Sequence, residues 1–74
     1  MVRFHLKKVI ADWEYQNDRH LTLEELSQKT GIHRSTLSRI ANQKGYNTTT
    51  DNIELLCKFF RCDLDEIMTI HLAD

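Results

Sequence analysis

The 74 residues contain no proline, only two glycines and only two cysteines, and each shortage excludes a class of chemistry. Gly31 and Gly45 stand alone, so no glycine-rich loop is present to cradle a nucleotide phosphate. Cys57 and Cys62 are too few for a disulfide framework, and their spacing is wider than the roughly two to four residues that structural zinc pairs favour. Five residues apart along a helix, they are expected to point in different directions as free, buried thiols. His5, His20, His33 and His71 are scattered, and none is placed beside a nucleophile by local spacing. No apolar run approaches the about 18 residues of a membrane span, and the first residues lack the apolar segment of a signal peptide. The expectation is a cytoplasmic protein with reduced thiols and no membrane contact. At this length the chain reads as one domain over residues 1–74, near the lower limit for a self-sufficient core and too small for a sizeable catalytic cleft. No enzyme activity, metal, cofactor or small-molecule ligand is expected.

Acid is also missing where it matters. The formal net charge is −1, but residues 1–44 hold eight Lys and Arg against five Asp and Glu, whereas residues 45–74 hold two against six. Between Leu26 and Thr50 there is no carboxylate, yet Lys29, Arg34, Arg39 and Lys44 lie there. A basic segment inside a slightly acidic chain points to a placed polyanion contact rather than to diffuse attraction.

That segment overlaps the most structured part of the pattern. Leu21, Thr22, Glu25 and Leu26 have the spacing of a capping box with a hydrophobic staple, which predicts a helix beginning at Leu23. Gly31 can enter the left-handed region at no steric cost and so ends that helix. A second helix is predicted over 34–42, with His33 at the N-cap, where Ser, Thr, Asp or Asn is commoner. Leu26, Ile32, Leu37 and Ile40 face inward and join the pair, and Ser27 leaves room for close approach. Arg34, Ser35, Thr36, Ser38 and Arg39 then face outward. Arginine can grip guanine through two bonds, and hydroxyls can reach bases or phosphates, so these five are the candidates for base readout.

Around this unit the remaining chain reads as helix. Leu6, Val9, Ile10 and Trp13 keep the helical period within a first helix from about Arg3 to Asn17, with Trp13 in the core. Gln43 to Thr50 is a polar loop whose donors either bind phosphate or cap the next helix. Asp51 with Glu54 signals a fourth helix burying Ile53, Leu56 and Phe60, and Asp63 with Glu66 a short fifth one burying Ile67 and Met68. The fold class is all-α: a compact bundle of five short helices, the second and third forming a helix-turn-helix, with possible short strand-like termini.

The run TLEELSQKTGIHRSTLSRIAN, then a polar loop, then NIELLCKFFRCDLDEIM, resembles the Cro/C1-type (XRE-like) helix-turn-helix family, over roughly Leu6 to Met68. The resemblance implies a lambda repressor-like fold and a transcriptional regulator, most simply a small repressor, whose partner is double-stranded DNA. The family's base-reading positions fall on Arg34, Ser35, Thr36 and Ser38, with Arg39 flanking, and Asn42 matches an asparagine that bonds the DNA backbone. Thr22, Lys29, Lys44, Asn47, Thr48 and Thr49 complete the expected phosphate contacts. One copy presents one recognition helix, so a homodimer is expected. In the tail, Met68, Ile70 and Leu72 alternate with Thr69 and His71. This stretch either pairs with Val2 and Phe4 of the same chain or meets a second copy, burying Ile67, Ile70 and Leu72. The rival reading is a protein-interaction module, antitoxin-like or an adaptor, that keeps the scaffold without using it on DNA.

Overall fold

The computed structural model describes residues 1–43 and 46–72. In chain order these form β1 (Val2–Phe4), α1 (Leu6–Asn17), α2 (Leu23–Thr30), α3 (Arg34–Asn42), α4 (Thr50–Phe60), α5 (Leu64–Ile67) and β2 (Met68–Ile70). None of these helices is long and apolar enough to cross a membrane.

The core explains the order. Leu6 and Val9 from α1, Leu26 from α2, Leu37 and Ile40 from α3, Ile53 and Leu56 from α4 and Ile67 from α5 are buried together with Leu21 and Ile32. No helix here could bury so narrow a stripe alone; each is stabilised by its neighbours' apolar faces. Most of the helix starts carry a built cap. The Thr22 hydroxyl accepts from the Glu25 N–H at 3.1 Å, and the Thr49 hydroxyl accepts from the Asn52 N–H at 3.1 Å. The fourth helix is thus capped by Thr49, one position before its first residue, and not by Asp51, because the threonine hydroxyl reaches the orphan N–H first. At Thr22 the capping box is only half formed: the Glu25 carboxylate turns away to Arg19.

The two ends of the chain meet. β1 and β2 pair antiparallel with Val2 opposite Ile70, Arg3 opposite Thr69 and Phe4 opposite Met68. Past the ladder, His71 N–H donates to the Met1 carbonyl at 2.7 Å and His5 N–H to the Ile67 carbonyl at 2.7 Å. The His5 ring adds a 2.8 Å hydrogen bond to the Thr69 hydroxyl. Of the two pairings open to the tail, the one within the chain forms. It draws residues 2–4 out of the first helix, which begins at Leu6 rather than Arg3.

Two side chains sit elsewhere than the pattern places them. Ile67 is 0% exposed, so it belongs to the core and cannot lie on a contact surface between copies. Trp13 is half-buried at the rim, stacked on Phe59 with ring centres 6.1 Å apart and covered by the Arg19 guanidinium at 5.0 Å.

Candidate nucleic-acid interface

The turn between α2 and α3 is held from inside. Gly31 has φ 81°, and its N–H donates to the Ser27 carbonyl at 2.8 Å. Ser27 is more than small: its hydroxyl donates to the Ile32 carbonyl, closing the turn from beneath. Thr30 donates to the Leu26 carbonyl at 2.8 Å and accepts from the Ile32 N–H at 3.3 Å. Both backbone polar groups of buried Ile32 are thereby matched, and α3 leaves α2 from a braced turn.

On α3, Leu37 and Ile40 are buried at 0% and 2% exposure, which decides what faces outward. Ser35, Ser38, Arg39 and Asn42 follow the i, i+3, i+4, i+7 rule on the side away from them. Ser35, Arg39 and Asn42 are exposed and Ser38 is half-buried. The five expected readout residues do not form one stripe. Arg34 stands on one flank of it, and Thr36 lies toward the packed side, half-buried. Asn42 runs along the stripe: its amide nitrogen donates to the Ser38 carbonyl at 2.9 Å and to the Ser38 hydroxyl at 3.5 Å, which leaves its oxygen for a ligand. His33 occupies the N-cap without a side-chain capping bond, so α3 begins with unassisted N–H groups.

The expected phosphate contacts fall into two groups. Thr22 and Lys29 lie at opposite ends of α2, both exposed, and the Thr22 hydroxyl, accepting as a cap, keeps its own proton to donate. Asn47 is exposed before α4; Thr48 accepts from the Asn52 amide at 3.0 Å, and Thr49 caps the helix. Both readings of that loop are therefore compatible, since a hydroxyl that accepts from the helix can still donate outward. Lys44 lies outside the described residues.

Charge around the site is partly committed. Arg34 lies 3.9 Å from Glu24, both well exposed, a weak pair that a stronger anion can displace. Among the described residues no carboxylate is within ion-pair distance of Lys29 or Arg39. Arg19 is engaged with Glu25 through two bonds, one of 3.0 Å. That hydrogen-bonded pairing holds the Glu25 carboxyl below its usual range and the Arg19 guanidinium above its own. Glu14 accepts from the Leu21 N–H at 2.7 Å and lies 2.6 Å from the His20 ring.

The structure adds a residue that the sequence reading passed over. Arg3, exposed on β1, shares a cleft of about 470 Å³ with His5, Ala41, Asn42 and Gln43 at the C-terminal end of α3. Val2 and Phe4 alternate around it, but three residues are too few to tell a strand from the start of a helix, and only the pairing of β1 with β2 frees Arg3 from α1.

Residues 13–71 match the family model described as Cro/C1-type HTH DNA-binding domain. The chain belongs to this family. It is thereby a DNA-binding domain of the kind found in regulators, in a family that is typically non-enzymatic. No curated protein and no solved structure matches it. The family match begins inside α1 and runs to the end of the sheet, so it includes α2, the Gly31 turn, α3 and the whole of α4.

One pair departs from expectation. Cys57 and Cys62 are free but only half-buried, and they do not diverge: both line a single apolar groove of about 540 Å³ with Val2, Phe4, Ile53 and Met68. Arg61 takes φ 54° and ends the helical path between them, which invalidates an argument from helical spacing. No group of three or more metal-ligating side chains occurs among the described residues.

Proposed function

We propose that the chain is a sequence-specific regulator of transcription, most simply a repressor, that reads the major groove of double-stranded DNA with α3. The observation that carries this reading is the stripe Ser35, Ser38, Arg39 and Asn42, turned outward by the burial of Leu37 and Ile40. Arginine and asparagine discriminate guanine and adenine through paired bonds, and the two serines fit either bases or phosphates. Arg34, on the flank and lightly held by Glu24, exchanges that partner for guanine or phosphate. Thr36, half-buried like Ser38 but toward the packed side, supports the stripe from beside it.

Phosphates are taken by Thr22 and Lys29 on one side and by Asn47, Thr48 and Thr49 on the other, with Lys44 adding charge and Asn42 and Arg3 closing the far end. Two copies act together through the tail, where Ile70 and Leu72 are 68% and 80% exposed, and Ile67 takes no part. Each strand of a two-stranded sheet keeps one unpaired edge, which supplies backbone groups for such a contact.

Selection of bound fragments from genomic DNA, followed by titration of the selected site, tests the reading. With about six phosphates neutralised by a dimer, log affinity falls against log salt with a slope near −5. Lys29→Ala weakens all sequences alike, whereas Arg39→Ala costs roughly 1–3 kcal/mol and relaxes preference at one position. An affinity indifferent to salt overturns the DNA reading and favours the protein-interaction module.

A further inference from the structure

The thiols of Cys57 and Cys62 occupy the two positions that a helix-ending turn brings together. With Arg61 in the left-handed conformation, the Arg61 and Cys62 N–H groups both donate to the Cys57 carbonyl, the second at 3.1 Å. In this type of helix end, the residue three places before the cap and the residue just past the turn commonly touch through their side chains. Adding standard bond lengths to that hydrogen bond keeps the two Cα atoms within about 7 Å, at the edge of the range a disulfide spans. Both side chains then open into the groove shared with Val2, Phe4, Leu64 and Met68.

We propose that Cys57 and Cys62 form a reversible intrachain disulfide site, oxidised by low-molecular-weight disulfides such as glutathione disulfide. The Cys57 thiolate attacks one glutathione sulfur and displaces one glutathione thiolate, which takes up the proton Cys57 released. The Cys62 thiolate then attacks the Cys57 sulfur of the mixed disulfide and expels the protein-bound glutathione, protonated in the same way. Two protein thiols and one disulfide become one protein disulfide and two glutathione thiols, with two electrons passing to glutathione. The order follows from the environment of Cys62. Burial first, then the neighbouring Cys57 thiol and the carboxylates of Glu66 and Asp63, push its thiol up to about 11, which makes it the poorer first nucleophile. On its other side it faces Lys8 and Asp12 of α1 and Arg61, none of a residue type whose ordinary range falls between pH 7 and 9. Closure ties the end of α4 to the start of α5, so oxidation acts on the segment leading into β2 rather than on α3.

The test is a time course of the full chain with excess glutathione disulfide, quenched in acid and read by intact mass. The expected product is a monomer lighter by two hydrogens, restored by dithiothreitol. Closing of the mixed disulfide accelerates as pH rises from 7 to 9, because the thiolate fraction of Cys62 grows with pH. Cys62→Ser stops at the mixed disulfide. A native wild-type chain that accumulates mixed disulfide without closing, that links only between chains, or that reacts only after denaturation overturns the proposal.

Discussion

Replacing Gly31 separates two reasons a helix-turn-helix keeps a glycine at its turn. A Cβ built there meets no atom within 4 Å, so no steric clash opposes a larger residue. What remains is the backbone, at φ 81°, where an L side chain is disfavoured by roughly 1–2 kcal/mol. Gly31→Ala therefore lowers stability by about that amount, which for a domain of this size moves Tm by roughly 4–8 °C per kcal/mol. Asparagine tolerates the left-handed region better, so Gly31→Asn costs less than alanine, and β-branched Gly31→Val costs more. Since Leu26, Ile32 and Leu37 fix the angle between α2 and α3, affinity for a selected DNA site, measured well below Tm, stays within about twofold for alanine and asparagine. Thermal and urea unfolding of the three variants give the order. A loss above about 3 kcal/mol for alanine, asparagine no better than alanine, or lost DNA affinity in a folded protein would each refute the conformational explanation.

His33 leaves α3 without a side-chain cap, so His33→Ser should stabilise the domain by about 0.5–2 kcal/mol in chemical unfolding. The lowered Glu25 carboxyl contributes stability that is present above its unfolded pKa and disappears as pH falls through the folded one. Acid unfolding of Arg19→Ala should accordingly lose part of its pH dependence in the range below ordinary glutamate titration, and an unchanged curve would show the pair to be inert. Ile67→Ala, at a fully buried position, should cost about 2–5 kcal/mol, whereas Ile70→Asp should leave monomer stability within about 0.5 kcal/mol and reduce sedimentation mass if the tail joins two copies.

The elements legible in the sequence are those whose ends carry a chemical signal. Thr22 with Glu25, Gly31 and the quartet Leu26, Ile32, Leu37 and Ile40 specify α2, the turn and α3, and these are found in place. Where a helix ends on a residue that only tolerates the conformation, the signal is missing. α1 ends at Asn17, where the polar connection begins as read, and α4 at Phe60; Asp18 and Arg61 beyond them are both left-handed without being glycine, and the second end cannot be read from residue type. The second case hid the Cys57 and Cys62 pairing, because a helical count carried past Arg61 sends the two thiols apart.

The tail was legible in period but not in partner. Alternation of Met68, Ile70 and Leu72 says that one face of the strand is apolar; it does not say which chain supplies the opposite strand. Three-residue strands give so few matches to a two-residue period that Val2 and Phe4 fit equally well into the start of α1. Ile67 decides the issue physically. As the last residue of α5 it is drawn into the core, and its carbonyl accepts the His5 N–H. Both ends of the sheet are thus anchored on the same domain before any second copy arrives. β1 is then committed to its own β2, and Arg3, on the exposed side of β1, is left beside Asn42 at the end of α3. The burial of one isoleucine thus both removes it from a dimer contact and places a cation where the proposed DNA surface extends past the recognition helix.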